Sequence, residues 1–166
     1  MMNYSESFEV TTPGDREIVL KRRFAAPRER VWDAMTKPEC LKRWLLGPPG
    51  WTMVVCENDV RPGGTFRWAW SGPDGAEIAM LGVNREVEAP ERIVRTERFD
   101  IGCEPQSGEQ LGTMVLTDSG AGVTQLTLTI LYPSKEARDA SVASGMASGP
   151  AAGYNLLDGL FASGQI

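Results

Sequence analysis

Apolar positions along the chain change period twice. From 16 to 24 the residues read Arg-Glu-Ile-Val-Leu-Lys-Arg-Arg-Phe, and alternation puts Ile18, Leu20 and then Arg22 on one side, Val19 and Arg23 on the other. This predicts a first strand. Ala26-Pro27 then opens a helix whose apolar side is Val31, Trp32, Ala34 and Met35. Lys37-Pro38 ends it before a second short helix with Leu41, Trp44 and Leu45. Turn residues recur from 47 to 132: Gly-Pro-Pro-Gly at 47–50, Pro62-Gly63-Gly64, Gly72-Pro73-Asp74-Gly75, Ala89-Pro90-Glu91 and Asp118-Ser119-Gly120-Ala121-Gly122. Between them lie strand-length segments at 51–60, 65–71, 77–88, 92–99, 111–118 and 123–131, with a longer loop at 100–110. Such spacing describes an antiparallel meander.

The last segment, 132–163, returns to helical spacing. Pro133 stops the preceding strand, Ser134 is placed to cap a helix, and Glu136 falls in the first turn, where the helix dipole favours an anion. Leu156, Leu157, Leu160 and Phe161 share a stripe with Tyr154 beside it. Gly149-Pro150 removes a backbone donor, so a kink is expected there. Ala137, Ala140, Ser141, Ala143, Ser144 and Gly145 are all small, which suits either close packing on a sheet or a space left for something else. The predicted fold class is α+β: a curved antiparallel sheet of about seven strands, two short helices after strand 1, and a long kinked C-terminal helix that the sheet wraps. It forms one domain over 15–166 behind a polar tail at 1–14.

Composition narrows the chemistry. With 166 residues the chain can bury a core without metal or disulfides, and a net charge of −5 with scattered Lys and Arg argues against nucleic acid or an anionic membrane as partner. No apolar run approaches a membrane span, and the first residues lack a signal-peptide pattern, so the expected location is cytoplasmic. There is no histidine, which excludes imidazole catalysis and the commonest zinc sites. Cys40, Cys56 and Cys103 have no paired spacing and read as free thiols.

Phe66, Trp68 and Trp70 alternate onto one face, as do Leu126, Leu128 and Ile130, so the inner face of the sheet is aromatic and aliphatic. Trp68 and Trp70 serve either as plain core or as the lining of a pocket for a flat apolar ligand; Trp44 and Trp51 suit core or rim. Glu97 shares a side with Ile93, Arg95 and Phe99. It is either a solvated cross-strand ion pair or, if that side faces inward, a buried carboxylate that pairs with Arg95 or Arg67 or stays protonated. No second carboxylate stands at acid–base spacing, Asp158 with Asn155 being a weak set, and the glycines at 63–64 and 72–75 are turn residues, not phosphate cradles.

Several stretches together resemble a known family: Ala26-Pro27-Arg28-Glu29-Arg30-Val31-Trp32-Asp33-Ala34, Leu41-Lys42-Arg43-Trp44, Arg61-Pro62-Gly63-Gly64-Thr65-Phe66, Pro90-Glu91-Arg92-Ile93-Val94, Thr96-Glu97-Arg98-Phe99, and Tyr132-Pro133-Ser134-Lys135-Glu136-Ala137-Arg138 with Ser144-Gly145-Met146. The family is that of the activator of 90-kDa heat-shock-protein ATPase homologues, within the START-like, birch-pollen-allergen-like superfamily of helix-grip folds. The resemblance runs from about 16 to 161 and departs at Pro150, where members continue a helix. It implies a deep cavity between sheet and last helix for an apolar or amphipathic small molecule. The resulting expectation is a binding protein without catalysis or cofactor, with Phe66, Trp68, Trp70, Met80, Glu97, Phe99 and Tyr154 at the ligand. Two other readings stand beside it: a module acting on a chaperone, implied by the family name, and an enzyme such as a cyclase or hydrolase using the same cavity, which the missing histidine and isolated carboxylates disfavour.

Overall fold

The computed structural model describes residues 4–101 and 108–166. Eight strands form one antiparallel sheet in the order β1-β2-β8-β7-β6-β5-β4-β3. They are β1 (Glu9–Thr11), β2 (Glu17–Phe24), β3 (Thr52–Asn58), β4 (Thr65–Ser71), β5 (Glu77–Glu88), β6 (Arg92–Asp100), β7 (Glu109–Asp118) and β8 (Thr124–Leu131). From β3 to β8 each strand pairs with its sequence neighbour, as short turns require, and β2 closes against β8 with Ile18 opposite Ile130 and Leu20 opposite Leu128. The α-helices are α1 (Arg28–Thr36) and α2 (Pro38–Trp44), both short, then α3 (Lys135–Ala143) and the longer α4 (Ser148–Ala162). The alternation in β2 holds: Ile18, Leu20, Arg22 and Phe24 are buried.

Two expectations about the ends change. Part of the predicted tail is β1, an edge strand paired through Val10 with Leu20, all three of its residues exposed. Its order comes from backbone pairing, so it carries no apolar period to read. The break in the C-terminal helix falls at 144–147, not at Gly149-Pro150. Gly145, with φ of 75°, ends α3, its N–H bonding to Val142 O at 3.1 Å. Pro150 sits in the first turn of α4, where its missing donor leaves no helical hydrogen bond unmade. The Ser134 cap is present, its Oγ accepting from Ala137 N–H at 3.1 Å.

The two C-terminal helices are held differently. In α3 only Arg138 is buried, its guanidinium donating to the Gly14 and Glu17 carbonyls at 3.2 and 3.0 Å. In α4, Tyr154, Leu157 and Phe161 pack into the main core with Phe24, Val31, Trp44 and Leu116, while Leu156, expected on that stripe, is 40% exposed. Asp158 takes both oxygens to the buried Arg22 of β2 at 3.0 and 2.6 Å, and Asn155 Oδ1 accepts a third bond at 3.0 Å. This ion pair fixes the rotation of α4 over the sheet.

Candidate functional site: an apolar cavity with one paired charge

Between the inner face of the sheet, α2 with its following loop, and the α3–α4 layer lies a cavity of about 510 Å³. That is within the range of small-molecule sites. Its walls are mainly aliphatic and aromatic: Trp68, Trp70, Ile78 and Met80 from β4 and β5, Leu126, Leu128 and Ile130 from β8, and Trp44 to Pro48 from the end of α2 and the loop after it. The helical side is built of Ser141, Met146, Gly149, Pro150, Ala152 and Gly153. The small residues therefore do both things the sequence left open. Gly153 packs closely, a Cβ there meeting Trp44 at 3.0 Å, while nothing lies within 4 Å of one at Gly149. Leu46, Phe99 and Leu156 belong to the lining and are also exposed, which marks where the cavity reaches the surface.

Of the residues singled out from the sequence, Trp68, Trp70, Met80, Glu97, Phe99 and Tyr154 lie around this one space. Phe66 does not. It is buried beside Trp68 on the same inner face of β4, ring centroids 4.9 Å apart, and is not part of the lining. Trp44 lines the space, and Trp51 packs against the core from a half-buried position.

The polar groups are few. Glu97 is 2% exposed and faces inward, so the carboxylate is buried and its partner is Arg95, not Arg67. Arg95 Nε donates to Glu97 Oε2 at 2.9 Å, and Gln110 Nε2 donates to Oε1 at 2.9 Å. The Arg95 guanidinium lies over the Trp68 and Phe66 rings, 4.6 and 5.0 Å from their centroids, a desolvated cation on two π faces. Room for the carboxylate comes from Gly112 on β7, which faces Arg95 in the ladder.

Tyr154 is wedged edge-on against Phe24 at 5.5 Å and beside Trp44 at 5.8 Å. Its hydroxyl makes no hydrogen bond among the described residues, and burial pushes its pKa up to about 12, with Glu97 adding to the rise and Arg95 and Arg22 opposing it. Tyr132 Oη is 2.9 Å from Ser141 Oγ, tying the end of the sheet to α3. Burial raises its pKa too, against the pull of the Ser141 bond. Two indoles bond to the helical layer, Trp44 Nε1 to Ala34 O of α1 at 2.8 Å and Trp70 Nε1 to Leu45 O just after α2 at 2.9 Å, whereas Trp68 Nε1 is buried with no acceptor among the described residues.

Cys40 and Cys56 are free thiols whose pKa values burial raises, so neither is activated as a nucleophile. Cys103 lies outside the described residues. Among the described residues no three His, Cys, Asp or Glu side chains cluster as a metal site would need, and no helix is long and apolar enough to cross a membrane.

A helix-grip sheet around an apolar space agrees with what comparison of the sequence gives: residues 25–162 match the family described as Activator of Hsp90 ATPase homolog 1-like protein. The chain belongs to that family. No curated protein matches it. Among solved structures, a protein from Rhodobacter sphaeroides is 33% identical, covers 94% of this chain and 98% of its own, and superposes with a TM-score of 0.84. Protein Ms6760 from Mycobacterium smegmatis is 26% identical over 92% of this chain and 96% of its own, with a TM-score of 0.76. Protein CV1439 from Chromobacterium violaceum is 29% identical, covering 87% and 96%, with a TM-score of 0.70.

Proposed function

We propose that this family member is a binding protein for an apolar or amphipathic small molecule, held in the cavity between the sheet and the C-terminal helices. The observation that carries this reading is the size and chemistry of the space: about 510 Å³, with mostly apolar walls and small residues on its helical side. Binding would proceed by removing the ligand's apolar surface from water, with Trp68 and Trp70 supplying flat walls against which a ring can lie.

Catalysis is not part of the reading. Among the described residues the one buried carboxylate, Glu97, is occupied by Arg95 and Gln110 and is not free to act as a general base. Titration of the protein with an apolar naphthalene, followed by tryptophan emission, tests the reading. Saturable quenching that weakens in Trp68→Ala supports it; emission that changes only linearly with probe would sink it.

The family match favours a second reading, action on a chaperone ATPase. A several-fold, concentration-dependent stimulation of the host's 90-kDa chaperone in a coupled ATPase assay would put that reading first.

A further inference from the structure

The cavity's charges say what kind of molecule it takes. Among the residues that line it, Arg95 and Glu97 alone are charged, and each is the other's partner at 2.9 Å. The polar end is therefore electrically neutral before any ligand enters. A ligand carboxylate would leave one net negative charge in a low-dielectric space, and a ligand ammonium one net positive charge; both incur a large desolvation cost with no counter-charge to offset it.

Hydrogen-bonding capacity is not balanced in the same way. Arg95 spends only its Nε on Glu97, and its two terminal amino groups make no hydrogen bond among the described residues. The Tyr154 hydroxyl, in the same lining, is also without a partner there. Both carboxylate oxygens of Glu97 already accept. The groups facing this end with bonds still to give are thus chiefly donors, and a donor that lines an apolar space gains a hydrogen bond when an acceptor arrives.

Resting on the binding reading above, we propose that the cavity selects uncharged, flat apolar molecules that carry one acceptor oxygen of the carbonyl kind, which takes hydrogen bonds from Arg95 and Tyr154. The apolar body lies between Trp68, Trp70 and the small residues of α4. Glu97 acts as a charge filter: by cancelling Arg95 it keeps a strong donor in the cavity while removing its attraction for anions.

Three probes of one shape separate the possibilities: 2-acetylnaphthalene, 2-ethylnaphthalene and 2-naphthoate, titrated against the full chain at neutral pH. The ketone should bind at least about tenfold more tightly than the ethyl compound, because a hydrogen bond from a charged donor is gained, and the carboxylate should bind more weakly than the ketone by a similar factor. Glu97→Gln should reverse the order of ketone and carboxylate, since Arg95 is then uncompensated. Tyr154→Phe should shrink the ketone's advantage over the ethyl compound several-fold without weakening the ethyl compound. If Glu97→Gln does not fold, wild type and Tyr154→Phe still decide. Saturable binding of 2-ethylnaphthalene with no ketone advantage, or naphthoate binding as tightly as the ketone, overturns this proposal and leaves the binding reading standing. Failure of all three to saturate overturns both.

Discussion

Gly112 and Glu97 share one space between β6 and β7: a Cβ on residue 112 would lie 2.7 Å from Glu97 Oε2. The missing side chain is what admits a carboxylate to the inner face, where Arg95 and Gln110 hold it. Gly112→Ala should push Glu97 off Arg95 and cost about 1–3 kcal/mol, as overpacking of a filled site does. Urea denaturation of the two proteins measures it. An unchanged midpoint would show that the carboxylate moves aside freely.

Gly82 faces a harder obstacle, because the nearest atom to a Cβ there is the Thr96 carbonyl oxygen at 1.8 Å. A side-chain end can swing away; backbone in a sheet cannot. Gly82→Ala should therefore be more damaging than Gly112→Ala, costing more than the ~1–3 kcal/mol of ordinary overpacking. Comparison of the two denaturation curves tests the ranking, and equal stability would contradict it.

Arg22 and Asp158 provide a third test, since the arginine is 1% exposed and its carboxylate partner is on another element. Asp158→Asn leaves a buried guanidinium without its counter-charge, and a loss of about 3–5 kcal/mol is expected. Replacing both, Arg22→Met with Asp158→Leu, should restore part of it. A double variant no better than the single one would mean the pair does more than neutralise itself.

Much of this was legible in the chain. The alternation in β2 put Ile18, Leu20 and Arg22 on one side, and all three are buried; that in β4 put Trp68 and Trp70 on the side that lines the cavity. What could not be read depends on contacts across elements. Phe66 and Trp68 have the same alternation, and only the third dimension puts one ring in the lining and leaves the other beside it. Glu97 could face solvent or the interior, with Arg67 and Arg95 as candidate partners; the fold turns it inward beside Arg95, two residues away on β6, while β5 separates it from Arg67 on β4. Gly145 and Gly149-Pro150 were both able to break the last helix; the outcome turned on where α4 starts, since proline costs little in a first turn. Gly112 carried a usable signal, because glycine inside a strand often marks a close approach.

Alkaline pH should weaken the fold through Tyr154. Its folded pKa of about 12 lies above the value near 10 of an exposed tyrosine, so the unfolded chain gives up this proton first. The resulting stability is present in full below pH 10 and is lost as pH rises from about 10 to about 12, on the order of 3 kcal/mol in total. Tyr132, also raised, contributes in the same direction. Tyr154→Phe should flatten the fall in stability over that window without removing it. Parallel curves for variant and wild type would contradict this.

The central claim, that the space under α4 receives a small apolar molecule, is tested most directly by locating the molecule. In ¹⁵N-labelled protein the five indole N–H signals, assigned through single Trp→Phe variants, report separately on Trp32, Trp44, Trp51, Trp68 and Trp70. Titration with 2-acetylnaphthalene should move the signals of Trp44, Trp68 and Trp70, which line the cavity, along one saturable curve, and leave Trp32 and Trp51 almost still. Saturable shifts confined to Trp32 or Trp51, or no saturable shift at any indole, would contradict it.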